Sequence, residues 1–135
     1  MPTLIFPGNY DSLEKIAEFV TMEARASGLN RTQVFAIETA VDEACSNIIE
    51  HAYGGEGLGD IHCTTISDRD RFVIVLEDHG KAFDPTSVPV PDLNAPLRDR
   101  QSHGLGFYMM RQWMDEVRFD FHDNRNRLTL VKLKA

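Results

Sequence analysis

Apolar residues recur with two different periods along this chain, three to four apart in the first half and two apart in most of the second. Leu13, Ile16, Ala17, Val20 and Ala24 form one helical stripe, opened by "DSLE" at 11–14 and stopped by Gly28. Asp11 is its expected cap and Glu14 stands at the capping-box position. Asn30 and Gln33 open a second helix that ends near Gly54 and Gly55, with Val34, Ile37, Val41, Ala44 and Ile48 as its core stripe. A short strand over residues 3–6 precedes both, bounded by Pro7, Gly8 and Asn9. The later segments "DIHCTTI" (60–66) and "RFVIVLED" (71–78) are rich in β-branched residues and predict an antiparallel hairpin through "SDRD". A helix over Leu105–Met114 follows, and "EVRFDFHD" and "RLTLVKLK" form a second hairpin across "NRN" at 124–126. The predicted fold is α+β, a single domain over 1–135. It is a two-layer sandwich in which helices pack a mostly antiparallel, mixed sheet.

The segment from Asp84 to His103 shows neither period and holds four of the six prolines. A structureless stretch of that length inside a compact domain is either a lid or a tolerated insertion.

Composition narrows the function classes. A content of 42% hydrophobic and 26% charged residues belongs to a globular domain. A net charge of −7 argues against a nucleic-acid surface, which needs clustered Lys and Arg. The start "MPTLIFPGNY" has no signal-peptide pattern, and the apolar run "FVIVL" at 72–76 is too short for a bilayer. A cytoplasmic protein with no membrane contact is expected. Cys45 and Cys63 form no CxxC pair, and reduced thiols are the default. His62 beside Cys63 finds no second pair to complete a zinc site.

Candidate chemistry begins on the second helix. Glu43 and Asn47, one turn apart, lie about 120° from the centre of the core stripe, where a helix presents polar groups to a pocket at its flank. An Asn inside a long helix gives up propensity without local gain. Glu50 continues the same stripe. Asp78 ends an apolar strand, and Gly80 after it admits the close approach of a ligand or another backbone. "GLGF" at 104–107 opens a helix whose free amides favour a phosphate.

In this order, "EACSN", "DHGKAFDP" and "GLGF" resemble the three boxes of the GHKL or Bergerat-fold ATPases, with Ala82 where many members have glycine. "HAYGG" and "GFYMMRQWMDEV" resemble the anti-sigma factor serine kinase branch in particular. The resemblance implies ATP and Mg²⁺ as cofactors, with Asn47 as the metal ligand and Asp78 accepting a hydrogen bond from the adenine amino group. It implies that Gly80 leaves room for the base, that Ala82 belongs to the same nucleotide box, and that Gly104, Leu105, Gly106 and Phe107 form the phosphate box. It places His51 near the phosphates, or else at the surface, and brings Thr129 to the adenine end through water. Arg100 and His103 stand just before the glycine box, slightly out of the branch's arginine position.

Glu43, one turn from the metal ligand, would then act as general base toward an incoming hydroxyl. In the serine kinase branch that hydroxyl belongs to a serine of an anti-anti-sigma (STAS-type) partner, and the kinase itself binds a sigma factor, as a homodimer. Lys15 occupies a helix position that such kinases can use against the sigma factor. Two other functions share these residues: a nucleotide-binding regulatory module of the same fold without kinase activity, and a free-standing ATP hydrolase.

Overall fold

A computed structural model describes residues 1–85, 108 and 110–135 of the chain. Its strands are β1 (Thr3–Pro7), β2 (Asp60–Ser67), β3 (Arg71–Asp78), β4 (Glu116–His122) and β5 (Arg125–Leu133), and its long helices are α1 (Ser12–Ala26) and α2 (Arg31–Asn47). The five strands make one sheet in the order β1-β2-β3-β5-β4. Every neighbouring pair is antiparallel, so the α+β sandwich forms with no parallel pairing among the described residues.

Both helices cover one face of the sheet. Ile16, Val20 and Ala24 of α1 and Val34, Ile37, Val41, Ala44 and Cys45 of α2 meet Ile61 and Cys63 of β2, Phe72, Ile74 and Leu76 of β3, and Leu128 and Leu130 of β5. The strand contribution alternates with period two and the helical one follows the predicted stripe. Cys45 and Cys63 are buried and free. Burial pushes the Cys63 thiol up to about 12, which keeps it protonated.

The helix starts separate a real cap from an apparent one. Asn30 has extended backbone, accepts from Gln33 N at 2.9 Å, and donates its own N–H to Gln33 Oε1 at 2.8 Å, a complete capping box. Asp11 is already helical in φ and ψ and makes no side-chain cap bond. The preceding turn takes over its role: Ser12 N donates to Asn9 O and Leu13 N to Tyr10 O. Glu14 therefore has no capping partner to reciprocate.

The β4–β5 turn also differs from expectation. Asp123 and Asn124 both have positive φ, 55° and 59°, the two-residue hairpin geometry that Asp and Asn tolerate best. His122 pairs with Arg125 across it. The loop therefore lies at 123–124 rather than 124–126, and Asn126 becomes a strand residue directly opposite Asp78. Of the helix expected over Leu105–Met114, Tyr108 and residues 110–113 are helical. The rest of it, and the expected lid beyond Pro85, lie outside the described residues.

Because its cap is fully formed, Asn30→Ala should lower stability by about 1 kcal/mol, seen as a lower urea midpoint at unchanged m-value. Asp11→Ala should stay within about 0.5 kcal/mol of the parent, as a surface substitution that removes no bond.

Candidate functional site

Helix α2 does not stop at Asn47 but widens into a π-helical segment, Ile48–Tyr53, closed by Gly54 in the left-handed conformation at φ 81°. Inserted π turns of this kind recur at functional sites. Here the segment carries Ala52 onto the end of β3. A Cβ on Gly80 would lie 2.5 Å from the carbonyl carbon and oxygen of Ala52, and Lys81 N donates to that oxygen at 2.9 Å. The space left by Gly80's missing side chain is thus taken up by the Ala52 backbone, and Gly80 does not line the cavity beside it.

Between this junction and β5 lies a small, partly open cavity. Its lining is apolar, with Ala44, Ile48, Leu76, Phe83, Phe119 and Leu128, apart from the polar groups of Asn47, Asp78 and Asn126. An apolar slot with a few placed polar groups suits a flat heteroaromatic ligand.

Asp78 is 2% exposed. Its Oδ1 accepts from Gly80 N at 2.8 Å and from Asn126 Nδ2 at 2.8 Å. Burial pushes its carboxyl above the usual carboxylate range, opposed by the bonds from Asn126 and Gly80. Asn126 was not foreseen as a site residue. It is buried, donates also to Lys81 O at 2.9 Å and accepts from Phe83 N at 3.1 Å, so it ties the loop after β3 to the carboxylate. The signal for it lay in the Asp-Asn pair before Arg125, which permits a two-residue turn and so sets Asn126 in register with Asp78.

Asn47 is 3% exposed, and its Oδ1 is buried without a hydrogen-bond partner among the described residues. The desolvation of such an orphan costs about 1–3 kcal/mol. A single amide oxygen fits magnesium, which keeps several waters and shares its coordination with substrate phosphates. Glu43, one turn earlier, is half-buried and its Oε1 is shielded from solvent. It does not line the cavity.

Other predicted residues are placed less simply. His51 stacks on Phe83, with ring centroids 4.8 Å apart and planes 19° apart, and so packs beside the cavity wall. Glu50, on the π-helical segment, does not line the cavity. It accepts from Tyr10 Oη at 3.1 Å. Ala82 is exposed and outside the lining. Thr129 is not brought to this cavity: between the core residues Leu128 and Leu130 it points to the opposite face of the sheet, beside Arg118 and Arg127. Gly104, Leu105, Gly106, Phe107, Arg100 and His103 lie outside the described residues. Met110 and Met114 are core residues, as helix packing requires.

Comparison with known proteins agrees with this architecture. The model of the histidine kinase-like ATPase domain matches residues 6–132. The chain is similar to a serine/threonine-protein kinase, BtrW, of Bordetella bronchiseptica, 34% identical over 101 residues that cover 75% of this chain and 71% of the relative. It is also similar to a serine-protein kinase, RsbW, of Bacillus cereus, 30% identical over 113 residues that cover 81% of this chain and 69% of the relative.

The Asp78 carboxyl supplies a pH test. A folded-state pKa above the unfolded value means a stabilising contribution that is fully present below the unfolded pKa and lost as pH rises through the folded one. Asp78→Asn keeps an acceptor for Gly80 and Asn126 but cannot ionise. Its stability relative to the parent should therefore rise from acid to neutral pH in urea unfolding, and a relative stability that falls over that range would contradict the assignment.

Proposed function

The chain belongs to the histidine kinase-like ATPase family, and on that premise we propose that it is an ATP- and Mg²⁺-dependent serine-protein kinase that acts as an anti-sigma factor. In this proposal one domain, working as a homodimer, binds an RNA polymerase sigma factor and phosphorylates a serine of an anti-anti-sigma partner. The observation that carries the nucleotide-binding part is the buried Oδ1 of Asn47, without a partner among the described residues, beside the same cavity as the buried acceptor Asp78. The names of the similar kinases support the phosphoryl-transfer part. The partners rest on the motif resemblance.

Asp78 meets a donor in the adenine amino group and would meet an acceptor in the guanine carbonyl, so it favours ATP over GTP. Leu76, Phe83 and Leu128 exclude water from the base. Asn47 would hold magnesium, whose charge offsets that of the phosphates on a chain of net charge −7. Glu43 takes the proton of the attacking serine hydroxyl as the new Oγ–phosphorus bond forms and the bond from the γ-phosphorus to ADP breaks. The glycine box, with Gly104, Leu105, Gly106 and Phe107, takes the phosphates on its backbone amides, and His51 stands near them.

Two variants separate these roles. Glu43→Ala should bind ATP nearly as tightly as the parent but transfer labelled phosphate to the co-purified partner roughly 10²- to 10⁴-fold more slowly. Asn47→Ala should lose Mg-ATP binding itself. Undiminished transfer by Glu43→Ala would remove the general-base role. Tight ATP binding with no transfer to any partner would favour a regulatory nucleotide-binding module over a kinase.

A further inference from the structure

The asparagine facing the base-recognition carboxylate has a hydrogen-bond pattern of its own. Asn126 stands opposite Asp78 in the β3–β5 register. Both hydrogens of its amide nitrogen are used, toward Asp78 Oδ1 at 2.8 Å and Lys81 O at 2.9 Å, and its oxygen accepts from Phe83 N at 3.1 Å. The amide has one workable orientation. Flipped, its oxygen would face two acceptors and its NH₂ would face an N–H.

This arrangement constrains Asp78 in two ways. Gly80 N and Asn126 Nδ2 together occupy Oδ1, so the hydrogen bonds that hold the carboxylate among the described residues all fall on one oxygen. Oδ2 is left for whatever enters the cavity. Two N–H donors on one oxygen also favour a carboxylate that accepts over a carboxylic acid that can donate. The distinction decides recognition. An accepting Asp78 selects an exocyclic amino group, whereas a protonated one could also donate to a carbonyl. Through Lys81 and Phe83, the same side chain fixes the loop that brings the Phe83 ring to the cavity wall.

We propose that Asn126 is a positioning residue that sets base specificity, holding Asp78 in one rotamer as a pure acceptor so that the site takes a 6-amino purine and rejects a 6-oxo purine. The proposal rests on the nucleotide-binding role assigned above and adds to it a residue that does not itself touch the base.

The test compares ATP with inosine triphosphate, which differs by a carbonyl in place of the amino group, by calorimetry on the full chain. The parent should prefer ATP. Asn126→Leu, similar in size but without a donor, should reduce the ATP-to-ITP affinity ratio by about tenfold or more, the scale of one lost hydrogen bond to a charged group. Asn126→Thr, whose hydroxyl can still donate to Oδ1, should retain most of the ratio. Generalised loosening of the structure would weaken both nucleotides alike and leave the ratio unchanged. Should the Leu variant not fold, Asn126→Asp replaces it: two facing carboxylates share a proton, and discrimination should fall while Asn126→Thr keeps it. A parent-like ratio in whichever of the Leu and Asp variants folds overturns the specificity role while leaving the nucleotide assignment standing. A parent that binds neither nucleotide overturns both.

Discussion

A contact between two stretches of backbone, Ala52 against Gly80 and Lys81, determines where the second helix meets the end of the central strand. It requires a residue without Cβ at position 80, because any side chain would stand 2.5 Å from the Ala52 carbonyl. It also requires the carbonyl of Ala52 to point outward to Lys81 N, which the π-helical segment provides by departing from the ordinary helical turn. Without this junction, Asn47 and Asp78 would belong to separate elements with no common cavity. With it, an amide from the helix and a carboxylate from the strand line the same cavity.

That space is costly to keep polar. The described core is built almost entirely from aliphatic, aromatic and thiol side chains, yet Asn47, Asp78 and Asn126 are buried at its edge. Asn126 and one oxygen of Asp78 are satisfied by each other and by the loop after β3. Asn47 Oδ1 is not satisfied among the described residues. A fold that leaves a buried acceptor open beside an apolar slot forgoes about 1–3 kcal/mol of stability. In the proposed function, Mg-ATP would supply what the slot lacks, a cation for the amide oxygen and a donor for the remaining oxygen of Asp78.

Much of this could be read from the sequence, and the failures share a cause. The core stripe of α2, the two hairpins and the capping box at Asn30 follow from local periodicity and local hydrogen bonding, which nearby residues decide. Asp11 failed as a cap because the turn at residues 9–11 had already taken the helix amides, a backbone event that residue type does not record. The π-helical segment Ile48–Tyr53 escaped notice because periodicity presumes a constant turn angle. Asn126 was missed because the turn was expected at 124–126, and the two-residue turn at Asp123 and Asn124 instead brings it into the strand opposite Asp78. Gly80 was correctly singled out for close approach, but only the tertiary junction shows that the approaching group is Ala52.

The central claim is that the open amide oxygen of Asn47 serves a cation carried in with the nucleotide. Manganese, a paramagnetic substitute for magnesium, reports on it directly when added to ¹⁵N-labelled protein in the presence and absence of ATP. With ATP, the side-chain amide signal of Asn47 and the backbone signals of the last turn of α2 should broaden first and most strongly. Without ATP they should stay sharp at the same manganese concentration. Broadening that leaves Asn47 untouched while signals elsewhere disappear would contradict the account.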